Sequence, residues 1–179
     1  MRADSQSARA DNRGVPARDE VDHIVGAWHA ERPELDLTPL EVLSRVTRVA
    51  KRLDRLRRAV FAQHGIDVWE FDVLATLRRS GRPYQLSPSA LMDQTMVTSG
   101  AMTNRINRLL HRGLVTRDTD SEDGRRVVVG LRPEGERLVD RALDDLLAAE
   151  ENALATLGVT QRTDLVQLLR VLSLQMESD

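Results

Sequence analysis

The sequence has no cysteine. That absence excludes disulfides, thiol catalysis, thiol redox sensing and thiolate metal sites together. No apolar run approaches the ~20 residues that a membrane span requires. The first twenty residues are charged throughout and lack the hydrophobic centre of a secretory leader. A cytoplasmic protein without a membrane partner is expected. Signatures of chemistry are missing too. His23, His29, His64 and His111 show no metal-ligand spacing, and there is neither a glycine-rich phosphate loop nor a nucleophile motif. No enzyme, metal site or resident cofactor is expected. Excess positive charge is also lacking: 26 Lys+Arg stand against 28 Asp+Glu, a net −2, whereas phosphate binding calls for a basic surface.

The distribution of charge reverses that last inference. Thr98 to Arg132 holds seven arginines against four acids, a local balance of +3, and Pro133 to Asp179 holds four against ten, or −6. Basic and acidic regions of one small protein face different partners. The 179 residues, 41% hydrophobic, suffice for one domain with its own core. Residues 1–16 carry Ser, Asn, Gly and scattered charge without periodicity, and are expected to be a disordered tail ahead of a single domain over 17–179.

Val21, Ile24, Val25 and Trp28 recur at i, i+3, i+4 and i+7, the spacing of a helix with one buried stripe, which Pro33 ends. Thr38 with Glu41 reads as a capping box opening a long helix to near Gly65. Asp67 caps a third helix, Val68 to Arg79. Ser87 and Pro88 open a short helix, and after the turn Thr95 to Val97 another begins, capped by Thr98 or Ser99 and closed by Gly113. On this last helix Met102, Ile106 and Leu109 form a buried stripe. At about 100° per residue, Asn104, Asn107, Arg108 and His111 gather opposite, with Thr103 beside them. Asn suits adenine, Arg suits guanine, and Ser or Thr suits phosphate or a base edge, so the pattern reads as a helix-turn-helix whose second helix meets double-stranded DNA.

Leu114 to Asp118 and Arg126 to Leu131 read as two strands of a hairpin. A hairpin directly after a helix-turn-helix is a wing. Its tip carries Arg125 and Arg126 among Asp120, Glu122 and Asp123. Asp120 or Asp123 is expected to hold Arg126, leaving Arg125 for the minor groove, where negative potential is strong. Two leucine-rich acidic helices follow, from Pro133 and from Thr160. With the long helix, their apolar faces exceed what a small winged core covers. A symmetric homodimer would bury the surplus and present two reading heads to a palindromic operator. The expected fold is therefore mainly α with a small β-hairpin wing. Residues 17–65 and 133–179 would form a helical dimerisation region that includes an extra N-terminal helix, and 66–132 the DNA-binding lobe.

The segment Arg105-Ile-Asn-Arg-Leu109, then Gly113-Leu-Val115, Arg117 through Arg126 and Pro133-Glu-Gly135, resembles the recognition-helix and wing signature of the MarR family of winged-helix transcription regulators. Arg132 departs from it, standing where the family commonly has threonine. The resemblance implies a homodimeric repressor with a ligand pocket between its dimer interface and DNA-binding lobe. The helix containing Trp28 further resembles the urate-responsive branch of the PecS kind. That likeness implies a ligand set of Trp28, Asp72, Arg105 and Arg117 for urate, a planar anion. Asp72, among Val68, Trp69, Phe71, Val73 and Ala75, would be enclosed and would need a cation, which Arg105 is placed to supply. Two other readings stay open: a regulator answering a phenolic or aromatic carboxylate ligand, and a ligand-independent architectural DNA-binding protein.

Overall fold

The computed structural model describes residues 18–119 and 127–177. Their backbone forms α1 (Glu20–Glu31), α2 (Thr38–Gln63), α3 (Val68–Arg79), β1 (Gln85–Leu86), α4 (Pro88–Thr95), α5 (Ser99–His111), β2 (Val115–Thr119), β3 (Val127–Leu131), α6 (Pro133–Ala153) and α7 (Val159–Glu177). Among the described residues no helix is long and apolar enough to cross a membrane, and no cluster of His, Asp or Glu could hold a metal. The chain divides into two compact units between Arg52 and Leu53, within α2.

In the first unit α1 begins at a reciprocal cap. Asp19 accepts from the Val21 and Asp22 amides, and Asp22 accepts from the Asp19 amide at 2.7 Å. Arg45 of α2 donates to Asp19 at 2.9 Å and to Asp22 at 2.8 Å, and Arg48 reaches Glu20 at 3.2 Å, so guanidinium groups fasten the start of α1 to α2. The expected apolar stripe is only partly covered: Val21 is buried, while Trp28 is 50% exposed. The capping box expected of Thr38 is not the one formed. The Glu41 amide bonds the Leu37 carbonyl, and the Thr38 amide donates to the Asp36 carboxylate at 3.0 Å. Asp36 takes the free Thr38 amide and the first helical bond closes on Leu37, so the helix begins one residue earlier.

The second unit is a winged helix-turn-helix built on α3. Phe71, Val73, Leu74 and Leu77 point from α3 into a core completed by Phe61, Leu91, Met102, Ile106, Leu109, Val115, Val129 and Val139. The Phe61 and Phe71 rings stack with centroids 4.2 Å apart. α4 starts with Pro88 in its first turn and the Ser87 hydroxyl on the Ala90 amide. The apolar stripe of α5, Met102, Ile106 and Leu109, is fully enclosed, as its spacing predicts. Gly113, at φ +68°, turns the chain from α5 into the sheet.

The wing holds one strand more than expected. β1 pairs with β3, which pairs with β2, all antiparallel in the order β1-β3-β2. β2 and β3 run in register from Val115 opposite Leu131 to Thr119 opposite Val127. The expected wing tip, including Arg125 and the pairing of Arg126 with Asp120 or Asp123, lies outside the described residues. Gly135 seats the first turn of α6 against the sheet, since a Cβ there would press into the Leu114 carbonyl oxygen. Arg78 of α3 donates to Asp140 of α6 at 2.9 Å and to the Tyr84 hydroxyl at 2.7 Å. Arg162 of α7 donates twice to Glu151 of α6 at 2.8 Å, which holds the Glu151 carboxyl below the usual glutamate range. No residue of α7 is buried.

Candidate functional site

Two features of the second unit stand out, an exposed polar helix face and a cavity beside the same helix. The stripe that buries Met102, Ile106 and Leu109 leaves Thr103, Asn104, Asn107 and Arg108 exposed on α5, with Thr98 and Ser99 exposed at its start. Thr98 is the N-cap in backbone conformation, but its side chain makes no capping bond. The Thr103 hydroxyl donates to the Ser99 carbonyl at 3.0 Å, which fixes its rotamer and leaves its oxygen as an acceptor. The two asparagines therefore present amide donors and acceptors outward from a rigid helix.

Asp54, Arg58, Ala62, Ile66, Asp67, Val68, Trp69, Asp72 and Arg105 line a cavity of about 580 Å³. Two of the four sequence-derived ligand residues, Asp72 and Arg105, are thus brought together. Arg117 stands exposed on β2 opposite Val129 and is not among the lining residues. Trp28 belongs to the first unit, where it lines a shallow apolar hollow with Ile24, Ala27 and Glu31.

The expected pairing of an enclosed Asp72 with Arg105 is not what forms. The Asp72 side chain is 43% exposed, and its partner is Arg57 of α2, which donates to Asp72 Oδ1 at 2.9 Å. Asp72 lies beside the buried face of α3 instead of on it, because Phe71, Val73 and Leu74 take the core-facing directions. Arg105 rests with its guanidinium 5.5 Å from the centre of the Trp69 ring. The enclosed carboxylate of α3 is Glu70. Its side chain, 4% exposed, accepts from Arg112 at 2.7 Å and from the Asp67 amide at 2.9 Å. Arg112 also donates to the Gly65 carbonyl at 3.1 Å, so the residue that ends α5 is clamped to the start of α3.

Sequence reasoning missed Trp69 as well as Glu70 and Arg112. The Trp69 indole N–H donates to Asp67 Oδ2 at 3.1 Å, and two α5 cations lie over its ring, Arg105 and, at 4.6 Å, Arg108. The available signal was the spacing: Arg105 and Arg108 are one turn apart, on one side of α5.

Residues 64–126 match the family model described as MarR family. The chain is 36% identical over 150 residues to the HTH-type transcriptional regulator PecS of Dickeya dadantii, covering 84% of this chain and 90% of that one. The chain belongs to the MarR family. It is a winged-helix transcription regulator and not an enzyme. It is also similar to the HTH-type transcriptional repressor NicR of Pseudomonas putida, at 28% identity over 76% of this chain and 87% of that one. Among solved MarR-family relatives, Bordetella bronchiseptica BpsR, whose DNA binding is regulated by 6-hydroxynicotinic acid, aligns with a TM-score of 0.62 at 25% identity. That alignment covers 74% of this chain and 92% of the other. A mutant MarR from E. coli complexed with operator DNA has a TM-score of 0.62 at 23% identity, covering 81% and 96%, and shares the fold.

Proposed function

We propose that this MarR-family regulator is a homodimeric repressor that binds a palindromic operator through α5 and the wing and is released from it by urate. The observation that carries this reading is the position of α5. One side exposes Thr103, Asn104 and Asn107, while Arg105 on the same helix lines the 580 Å³ cavity. A ligand in that cavity touches the reading helix itself. Thr98, Ser99, Thr103 and Arg125 serve as phosphate or groove contacts, and Asn104, Asn107 and Arg108 as base readers. Asn107→Ala is expected to lower operator affinity by about 1–3 kcal/mol and to relax discrimination at one base pair per half-site. Selection from a randomised duplex pool at one stated salt concentration checks this.

Dimerisation is assigned to the helices at the two ends of the chain, residues 17–65 and 133–179, with 66–132 as the reading lobe. Support comes from the apolar surface they expose, including Val42, Val49, Leu168 and Val171.

Urate is a planar anion. Arg105 and Arg117 suit it by charge-assisted hydrogen bonds and Trp28 by stacking or its indole N–H. Asp72, a further member of this ligand set, already has a cation in Arg57, so Arg105 is free of it and available to the anion. The similarity to PecS, the residues of the ligand set and the cavity favour urate. The similarity to BpsR, which answers a planar heteroaromatic carboxylate, favours the second reading, an aromatic carboxylate in the same cavity. Calorimetric titration with urate, xanthine and salicylate separates the two. Saturable heat with urate that Arg105→Ala abolishes is the expected result. Heat with salicylate alone reassigns the effector, and heat with none contradicts the cavity as an effector site.

A further inference from the structure

Arg108 projects from the exposed face of α5, yet its guanidinium is folded back. It lies 4.6 Å from the centre of the Trp69 ring, and its Nη2 is 3.6 Å from Asp67 Oδ2. Asp67 and Trp69 are themselves joined by the indole hydrogen bond at 3.1 Å, and Glu70 holds the Asp67 amide, so this bracket is built before Arg108 enters it. An aromatic face and a carboxylate edge are what a guanidinium prefers when it has no phosphate or guanine.

We infer that the Asp67–Trp69 bracket is a holding site for Arg108 that competes with DNA, and that the ligand cavity controls it through Arg105. This rests on the reading of α5 as the DNA-contacting helix and, for the control, on the cavity as the effector site. A guanidinium bound to Asp67 and Trp69 is withheld from the duplex, so part of the binding energy is spent in freeing it. Arg105 shares the same ring from 5.5 Å away, so two like charges draw on one aromatic system. Asp67, Trp69 and Arg105 all line the cavity. An anion there pairs with Arg105, draws it off the indole and leaves the ring to Arg108. The held state gains and the DNA-bound state does not, which is the differential contact that a ligand-driven shift requires.

The test measures affinity for the duplex that the full-length protein selects from a randomised pool, at fixed salt. Asp67→Asn and Trp69→Leu are each expected to tighten binding about two- to fivefold per reading head, the size of one exposed cation–π contact. Trp69→Phe is expected to fall between Trp69→Leu and the parent. The decisive comparison repeats these changes on Arg108→Ala, where the gain should vanish. Removal of a negative charge near DNA would instead persist on that background, and Asp54→Asn gives its size. Unchanged or weaker binding by folded Asp67→Asn and Trp69→Leu overturns the inference, as does a gain that survives without Arg108. In a parallel arm, urate should lower duplex affinity severalfold less in Trp69→Leu than in the parent. An equal response in both overturns the control by Arg105. If the parent itself ignores urate, the effector assignment fails, while the affinity arm still decides the holding site.

Discussion

Glutamate at both Leu168 and Val171 is expected to yield a folded monomer whose operator affinity is lower by about 10²–10⁴, the advantage of joining two weak heads into one bivalent reader. The two residues lie three apart on α7 and are each 69% exposed. They belong to a helix of which no residue is buried, although it also carries Leu165, Val166, Leu169 and Met176. An apolar helix face of this extent marks an interaction surface. Two added carboxylates would be buried facing their own copies across a symmetric interface, where like charges cannot find partners. Sedimentation of the double variant gives the mass, and far-UV circular dichroism establishes that its helices remain. A variant that stays dimeric and binds its operator normally places the interface elsewhere.

The second large effect concerns Arg112, and it is asymmetric. Arg112→Ala leaves the Glu70 carboxylate, 4% exposed, without its cation, and should cost about 3–5 kcal/mol of stability. Glu70→Ala strands a guanidinium that is 37% exposed and can turn to water. It forfeits mainly the bond to the Asp67 amide and should cost about 1–3 kcal/mol. Denaturant melts at a fixed protein concentration compare the two, since a dimer's stability depends on concentration. Equal costs would mean that Glu70 gains solvation on losing Arg112 and that the clamp on the end of α5 contributes little.

Most of the architecture was legible because it rests on periodic burial. The stripe Met102, Ile106, Leu109 placed α5, Gly113 its end, and Asp67 with Arg79 the limits of α3, because each has a local physical cause. β1 was not legible, since two residues carry no alternation and its existence depends on β3 coming alongside. The cap of α2 was misplaced because the Glu41 amide closes on the Leu37 carbonyl instead of the Thr38 hydroxyl, while Asp36 takes the Thr38 amide.

The site shows the same division more sharply. That a buried carboxylate on α3 must meet an arginine of the reading helix is sound, but it applies to Glu70 and Arg112, not to Asp72 and Arg105. Asp72 lies beside the core-facing residues of α3, and Arg57, fifteen residues earlier, reaches it from α2. No local pattern announces a pairing between helices. Trp69 was read only as an apolar neighbour of Asp72, whereas it is partly buried against the core and its ring also carries two arginines of α5.

In the proposed mechanism, ligand binding at the cavity beside α3 and α5 releases DNA from α5. Fluorescence anisotropy of a labelled, self-selected duplex, held half-saturated with full-length protein while urate is added, tests it directly. Anisotropy is expected to fall to that of free duplex at urate concentrations that saturate the calorimetric signal, and Arg105→Ala is expected to abolish the fall. Anisotropy that holds constant while urate is bound by the folded protein would contradict it.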